Sequence, residues 1–125
     1  MALQSKYVTS PAFRWRITSL GAGATYDLDL TDNDTKDDSN KKPKDFVPFN
    51  QITVMNLSSR DLELTLNGEF SILVPASAVR VWTDYEFWQV AIKNLDSANA
   101  IDGDVEIIIE KVISFQMAMR MTGRV

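Results

Sequence analysis

Residues 61–75 read DLELTLNGEFSILVP. Leu62, Leu64 and Leu66 alternate with Asp61, Glu63 and Thr65, the two-residue period of a strand with one face toward a core and one toward water. Asn67-Gly68 follows, and this dipeptide favours the positive φ angles of a tight hairpin turn. A second apolar run reaches Val74 before Pro75 breaks it. The stretch is a β-hairpin written in sequence, and the same alternation recurs on both sides of it.

Upstream, AFRWRITSL sets Phe13, Trp15 and Ile17 against Arg14, Arg16 and Thr18, and TYDLDL repeats the pattern with Tyr26, Leu28 and Leu30. Between this segment and the hairpin lies FVPFNQITVMNL, where Pro48 marks an edge strand or a strand start because proline cannot donate to a ladder. Downstream, PASAV turns the chain, VRVWTDYEFWQVAIKN supplies one or two strands, LDSANAIDG is a loop, and DVEIIIEKVI opens a final strand. No long segment carries a 3.6-residue apolar stripe. About eight short strands with turn signals between them predict an all-β fold, a single β-sandwich with a jelly roll as the leading topology. At 125 residues one domain, 1–125, is expected. Residues 31–45, TDNDTKDDSNKKPKD, form its one long loop, acidic and flexible.

The carboxyl-terminal stretch raises a geometric difficulty. A single strand from Asp104 to Met121 would extend about 60 Å, whereas a domain of this length has a radius of gyration of only about 14 Å. Phe115, Met117, Met119 and Met121 line one side of that ribbon. Burying such side chains is worth roughly 1.5–3 kcal/mol each, so they need cover. A strand bent near Lys111 onto its own sheet would supply it, and so would a short terminal helix. The favoured reading is an intersubunit arm over residues 114–125, with Phe115, Met117, Met119 and Met121 as contacts and Arg120 and Arg124 offering charge complementarity.

Composition narrows the function. The chain has no cysteine and no histidine, which removes disulfides, thiolate metal sites, the usual general base and the serine-hydrolase imidazole. A carboxylate pair acting on glycosides is the remaining enzymatic route, but the acids sit in the loop or at alternate strand positions, so no catalytic residue is assigned. The net charge of −4 makes a nucleic-acid partner unexpected. No signal peptide is recognised at the start, and no run approaches the roughly 20 apolar residues of a membrane span, so no membrane is expected as a partner. Basic residues without acids mark both ends, Lys6, Arg14 and Arg16 in residues 1–26 and Lys111, Arg120 and Arg124 in residues 111–125. Such ends suit contact with an acidic patch on a neighbouring copy, or with nucleic acid inside a particle.

Two clusters are candidates for ligands. Asp27, Asp29, Asp32, Asp34, Asp37 and Asp38 are dense enough to gather calcium, but they lack EF-hand spacing, and Lys36, Lys41, Lys42 and Lys44 compete for the same carboxylates. A solvated loop is the preferred reading, with no metal and no cofactor. Trp82, Tyr85, Phe87 and Trp88 fall within VWTDYEFW, interleaved with Asp84 and Glu86. They read as core and interface aromatics, or as a sugar-stacking platform with Trp82, Tyr85 and Trp88 as ligand residues. Strict alternation puts some of them on opposite strand faces, so not all can be core.

ITVMNLSSRDLELTLNG, ILVPASAVRV and QVAIKNLDSANAIDGDVEI together resemble a pattern of small all-β virion proteins of bacteriophages. The matching elements are Asn56, Ser58, Asp61, Leu62, Leu64, Leu66, Asn67 and Gly68 in the hairpin, then Val74, Pro75 and Ala76, then Ile92, Lys93 and Asn94. The likeness runs from Ile52 to Ile107 and is a fold signature, so no functional residue is carried over. It implies a non-enzymatic structural protein made in the host cytoplasm and placed in the virion. The role would be decoration, minor capsid or vertex/connector subunit, with itself (a homo-oligomer) and other virion proteins as partners. A carbohydrate- or receptor-binding module is the alternative.

Overall fold

The computed structural model describes residues 11–33 and 41–112. They form eight strands, β1 (Ala12–Ile17), β2 (Thr25–Asp29), β3 (Phe49–Asn56), β4 (Leu62–Leu66), β5 (Phe70–Val74), β6 (Val79–Phe87), β7 (Gln89–Asn94) and β8 (Val105–Glu110). One antiparallel sheet has the order β1-β8-β3-β6 and the other β2-β7-β4-β5. Alternation decides what each strand buries. Phe13, Ile52, Val54, Ile107 and Ile109 from the first sheet join Leu28, Leu62, Leu64, Leu66, Val90 and Ile92 from the second in one apolar cluster. The expected all-β, sandwich-like architecture is thus present, without an α-helix among the described residues.

The hairpin is as its sequence predicts. Asn67 and Gly68 have φ of 56° and 70°, and β4 pairs with β5 from Leu62↔Val74 to Leu66↔Phe70. Pro48 stands directly before β3, which lies between β8 and β6, so its missing donor costs the ladder nothing. Of the acidic loop, Pro43–Asp45 forms a 3-10 turn with Pro43 buried. β8 ends at Glu110, and beyond it Asn50 holds Val112 at both backbone groups, each at 2.7 Å. Phe115, Met117, Met119, Arg120, Met121 and Arg124 lie outside the described residues.

One end of the molecule is held by buried amides. β3 and β7 finish alike, in Asn56-Leu57-Ser58-Ser59 and Asn94-Leu95-Asp96-Ser97. Each asparagine is fully buried and accepts the N–H two residues ahead, Ser58 or Asp96, at 3.0 Å. Its amide nitrogen donates to the loop that follows, to the Arg60 carbonyl at 2.7 Å or that of Asn99 at 3.0 Å. It also reaches across to a second segment, Pro75 or Gly21, at 3.1 Å. A strand end inside the sandwich leaves backbone groups away from water, and these carboxamides supply the partners. Asp61 accepts from the Ala76 amide at 2.9 Å and ties the same loop to the turn after β5. The residues that carried the phage-protein likeness, Asn56, Ser58 and Asp61, are therefore loop anchors.

Asp102 completes this end. Hydrogen bonds from the Ser59 amide and hydroxyl, helped by Ser58 and Arg60, pull its carboxyl down from the ordinary 3.8 to about 2. The amides of Ala98 and Asn99 likewise hold Asp96 below its usual value. The neighbouring Gly103 passes so close to the Leu57 carbonyl that a Cβ there would collide with it.

Two outcomes follow from these anchors. Replacing Asn56 by alanine should cost about 2–4 kcal/mol in denaturant unfolding, because several buried carbonyls lose their donor at once. The lowered aspartates favour the folded state only when ionised. Their stabilisation is therefore complete above the ordinary aspartate range and is lost as pH falls through their lowered values, about 2 for Asp102. Thermal melts from about pH 5 to about pH 2 should show that decline. An Asp102→Asn protein should start lower near neutrality and change less over the same interval.

Candidate functional site

β5 and β6 are the terminal strands of their sheets, and aromatic rings join them. Phe70 opens β5 directly after the Asn67-Gly68 turn. Trp82 sits across from the buried Ile52 and so faces the interior side of β6, where no further strand covers it among the described residues. It lies against Phe70 instead, with ring centroids 5.0 Å apart and planes at 49°. Tyr85 meets Phe70 at 5.1 Å and 31°, and its hydroxyl approaches Glu69 at 3.5 Å. Phe70 is thus the shared partner of two rings from the opposite sheet.

A bulge makes this arrangement. Thr83 faces Gln51 and Phe87 faces Phe49, so four steps along β6 match two along β3. Asp84 lies in the surplus with φ of 63°, a left-handed conformation that Asp tolerates better than most residues. The phase of the strand changes there. Trp82 before the bulge and Tyr85 and Phe87 after it all come to the interior side, with Phe87 fully buried. Strict alternation along VWTDYEFW had placed these rings on opposite faces; the positive-φ aspartate corrects that expectation. Trp88 alone stands away, at the corner where the chain leaves β6 for β7 in the other sheet. Asn67 fixes the corner by accepting the N–H groups of Trp88 at 2.8 Å and Gln89 at 3.2 Å and donating to the Glu86 carbonyl at 3.1 Å. The Trp88 side chain is 44% exposed and makes no ring contact among the described residues.

Exposed apolar side chains stand on the outer faces of both edge strands. Val79, Val81 and Leu73 are each 53% exposed. The register sets Val81 in a row with Thr53, Ile108 and Arg14, and Val79 in a row with Met55, Glu106 and Arg16. The far edges differ in charge. On β1, Arg14 and Arg16 pair with Glu106 at 3.7 and 3.2 Å, and Arg16 also approaches Asp104 at 3.8 Å. β2 carries Asp27 and Asp29. Charges along a free edge discourage another strand from adding to it. β5 has none, and Val79–Thr83 of β6 has only Arg80, which has no ion-pair partner among the described residues.

Asp27, Asp29 and Asp32 belong to no metal-ligating cluster among the described residues. Asp27 and Asp29 lie on β2 beside a shallow groove of about 190 Å³ over Ala91, and Asp29 already accepts from the Thr31 amide at 3.0 Å and hydroxyl at 2.6 Å. Asp32 is in the turn after β2, while Asp34, Asp37 and Asp38 lie outside the described residues. No cluster of three metal-ligating side chains occurs among the described residues. Of the residues singled out from the sequence, the structure brings Trp82 and Tyr85 together and leaves Trp88 apart. Sequence reading missed Phe70, Leu73, Val79 and Val81. The signal was present in the charge-free run FSILV and in the alternation of VRVWT.

Replacing Phe70 by alanine should cost about 2–3 kcal/mol, since two rings lose their common partner. Trp88→Ala should stay within about 0.5 kcal/mol of the unchanged protein. Denaturant unfolding followed by circular dichroism distinguishes the two. The chain matches no protein-family model, and no curated protein matches it in sequence.

Proposed function

We propose that the protein is a non-enzymatic structural subunit of a bacteriophage particle, a capsid-associated decoration, minor capsid or vertex/connector protein. In this reading it assembles in the virion with further copies of itself and with other virion proteins. The carrying observation is the β5/β6 side: no strand lies beyond either edge among the described residues, Arg80 is the one charge on β5 and on Val79–Thr83 of β6, exposed Val79, Val81 and Leu73 flank the edges, and the Phe70 ring cluster stiffens them. A free edge of this composition invites a partner strand.

Strand pairing supports the same reading. β1 pairs with β8, β2 with β7, β3 with β6 and β4 with β5, the nesting of one long antiparallel ribbon rolled on itself. We take this as a jelly roll, an architecture that serves viral capsids and also lectins. That link is an analogy of fold, and the edge chemistry gives it direction. The sequence of residues 114–125 would add a second contact through Phe115, Met117, Met119 and Met121, with Arg120 and Arg124 beside them.

Light scattering on the purified chain should give a mass that is a multiple of 14.1 kDa at micromolar concentration. Removing residues 114–125 should lower that mass while the fold persists. A monomeric mass throughout the range would overturn the assembly reading. The exposed Trp88 indole, with Glu86 nearby in sequence, favours a second reading as a carbohydrate- or receptor-binding module. Glycan binding that disappears in a folded Trp88→Ala protein would establish it in place of the first.

A further inference from the structure

The regular part of β6 is complementary to itself. Five consecutive residues, Val79–Thr83, pair with Met55–Gln51 of β3 before the bulge at Asp84 interrupts the ladder, and their other edge is free among the described residues. We infer that a second copy of this chain adds to that edge through its own β6, antiparallel and related by a two-fold axis through Val81. This deepens the assembly reading and rests on it, naming one edge, one partner and one register.

The register follows from three constraints. Opposite residues of an antiparallel pair share a face, so the axis of a symmetric pair must pass through a residue and not between two. An axis at Arg80 would set the two guanidinium groups against each other, which is unfavourable for like charges directly opposite. An axis at Trp82 would match Arg80 with Asp84 of the other copy, but Asp84 has φ of 63° and has left the ladder, so only three flat pairs remain. With the axis at Val81 all five residues pair. Val81 meets its own counterpart, Val79 meets Thr83 twice, and Arg80 meets Trp82 twice.

Those pairs suit the chemistry left open on each copy. Val79 and Val81 share the outward face, where each is half exposed. Arg80 is an exposed cation without an ion pair among the described residues, and Trp82, 38% exposed, has its ring tilted against Phe70. A guanidinium over the free indole gains cation–π attraction without needing a carboxylate. The complementarity is therefore between a cation and the aromatic ring of a second copy, and it occurs twice by symmetry.

The chain has no cysteine, so single introduced thiols report contacts directly. With a short bifunctional thiol reagent, Val81→Cys should link to itself. Val79→Cys and Thr83→Cys should link as a mixture and far less when separate. Val81→Lys, an outward substitution, should keep the melting profile and weaken self-association on the order of tenfold, because two lysines would then face each other. An oligomer in which Val81→Cys forms no link, or in which Leu73→Cys on β5 links to itself instead, overturns this inference and leaves the assembly reading standing. A monomer by light scattering overturns both.

Discussion

Every strand of this protein turns one face toward the same apolar layer, and that shared layer constrains the rest. The buried positions alternate along β1, β4 and β8 and from Ile52 onward in β3, and wherever the alternation holds, the chain needs no other instruction to choose its face. A one-residue slip in β4 would expose Leu62, Leu64 and Leu66 together and bury Glu63 and Thr65. The core thereby fixes register as well as stability.

The places where the alternation stops need separate chemistry. At the ends of β3 and β7 the inward position is taken by asparagine, which has a donor and an acceptor to offer the turning backbone. At Asp84 the break is conformational, a left-handed residue that lets β6 bring Tyr85 and Phe87 inward after Trp82. The buried asparagines, with Asp61 and Asp102, satisfy the turning backbone at one end of the fold. They also explain why resemblance motifs built on Asn56, Ser58 and Asp61 say much about how loops are held and nothing direct about a ligand.

Much of this was legible in the sequence. Leu62, Leu64, Leu66, Asn67 and Gly68 announced the hairpin because local alternation and turn chemistry agree there. Pro48 announced a strand boundary because a missing donor has few places to stand. The aromatic cluster was visible as a cluster but not in its geometry, since no periodicity reveals that Asp84 will adopt positive φ. Phe70 was hidden for a different reason: its partners Trp82 and Tyr85 lie in the other sheet, and sheet membership is a long-range property. The burial of Asn56 and Asn94 was equally hidden, because a polar residue ending a strand usually faces water.

The bulge has a consequence beyond the rings it aims inward. β-Bulges commonly blunt free edges, since the ladder beyond them no longer presents donors and acceptors in line. In β6 the blunting covers only the stretch after Thr83, while Val79–Thr83 stays regular against β3. One strand is thus half closed and half open, and the open half has a defined length. A partner strand that fits there cannot slide far toward Asp84 without losing pairs. On β1 and β2 charge does the blunting, through Arg14, Arg16, Asp27 and Asp29. The same fold therefore guards one side with charge and leaves on the other an edge whose register is limited by its own backbone.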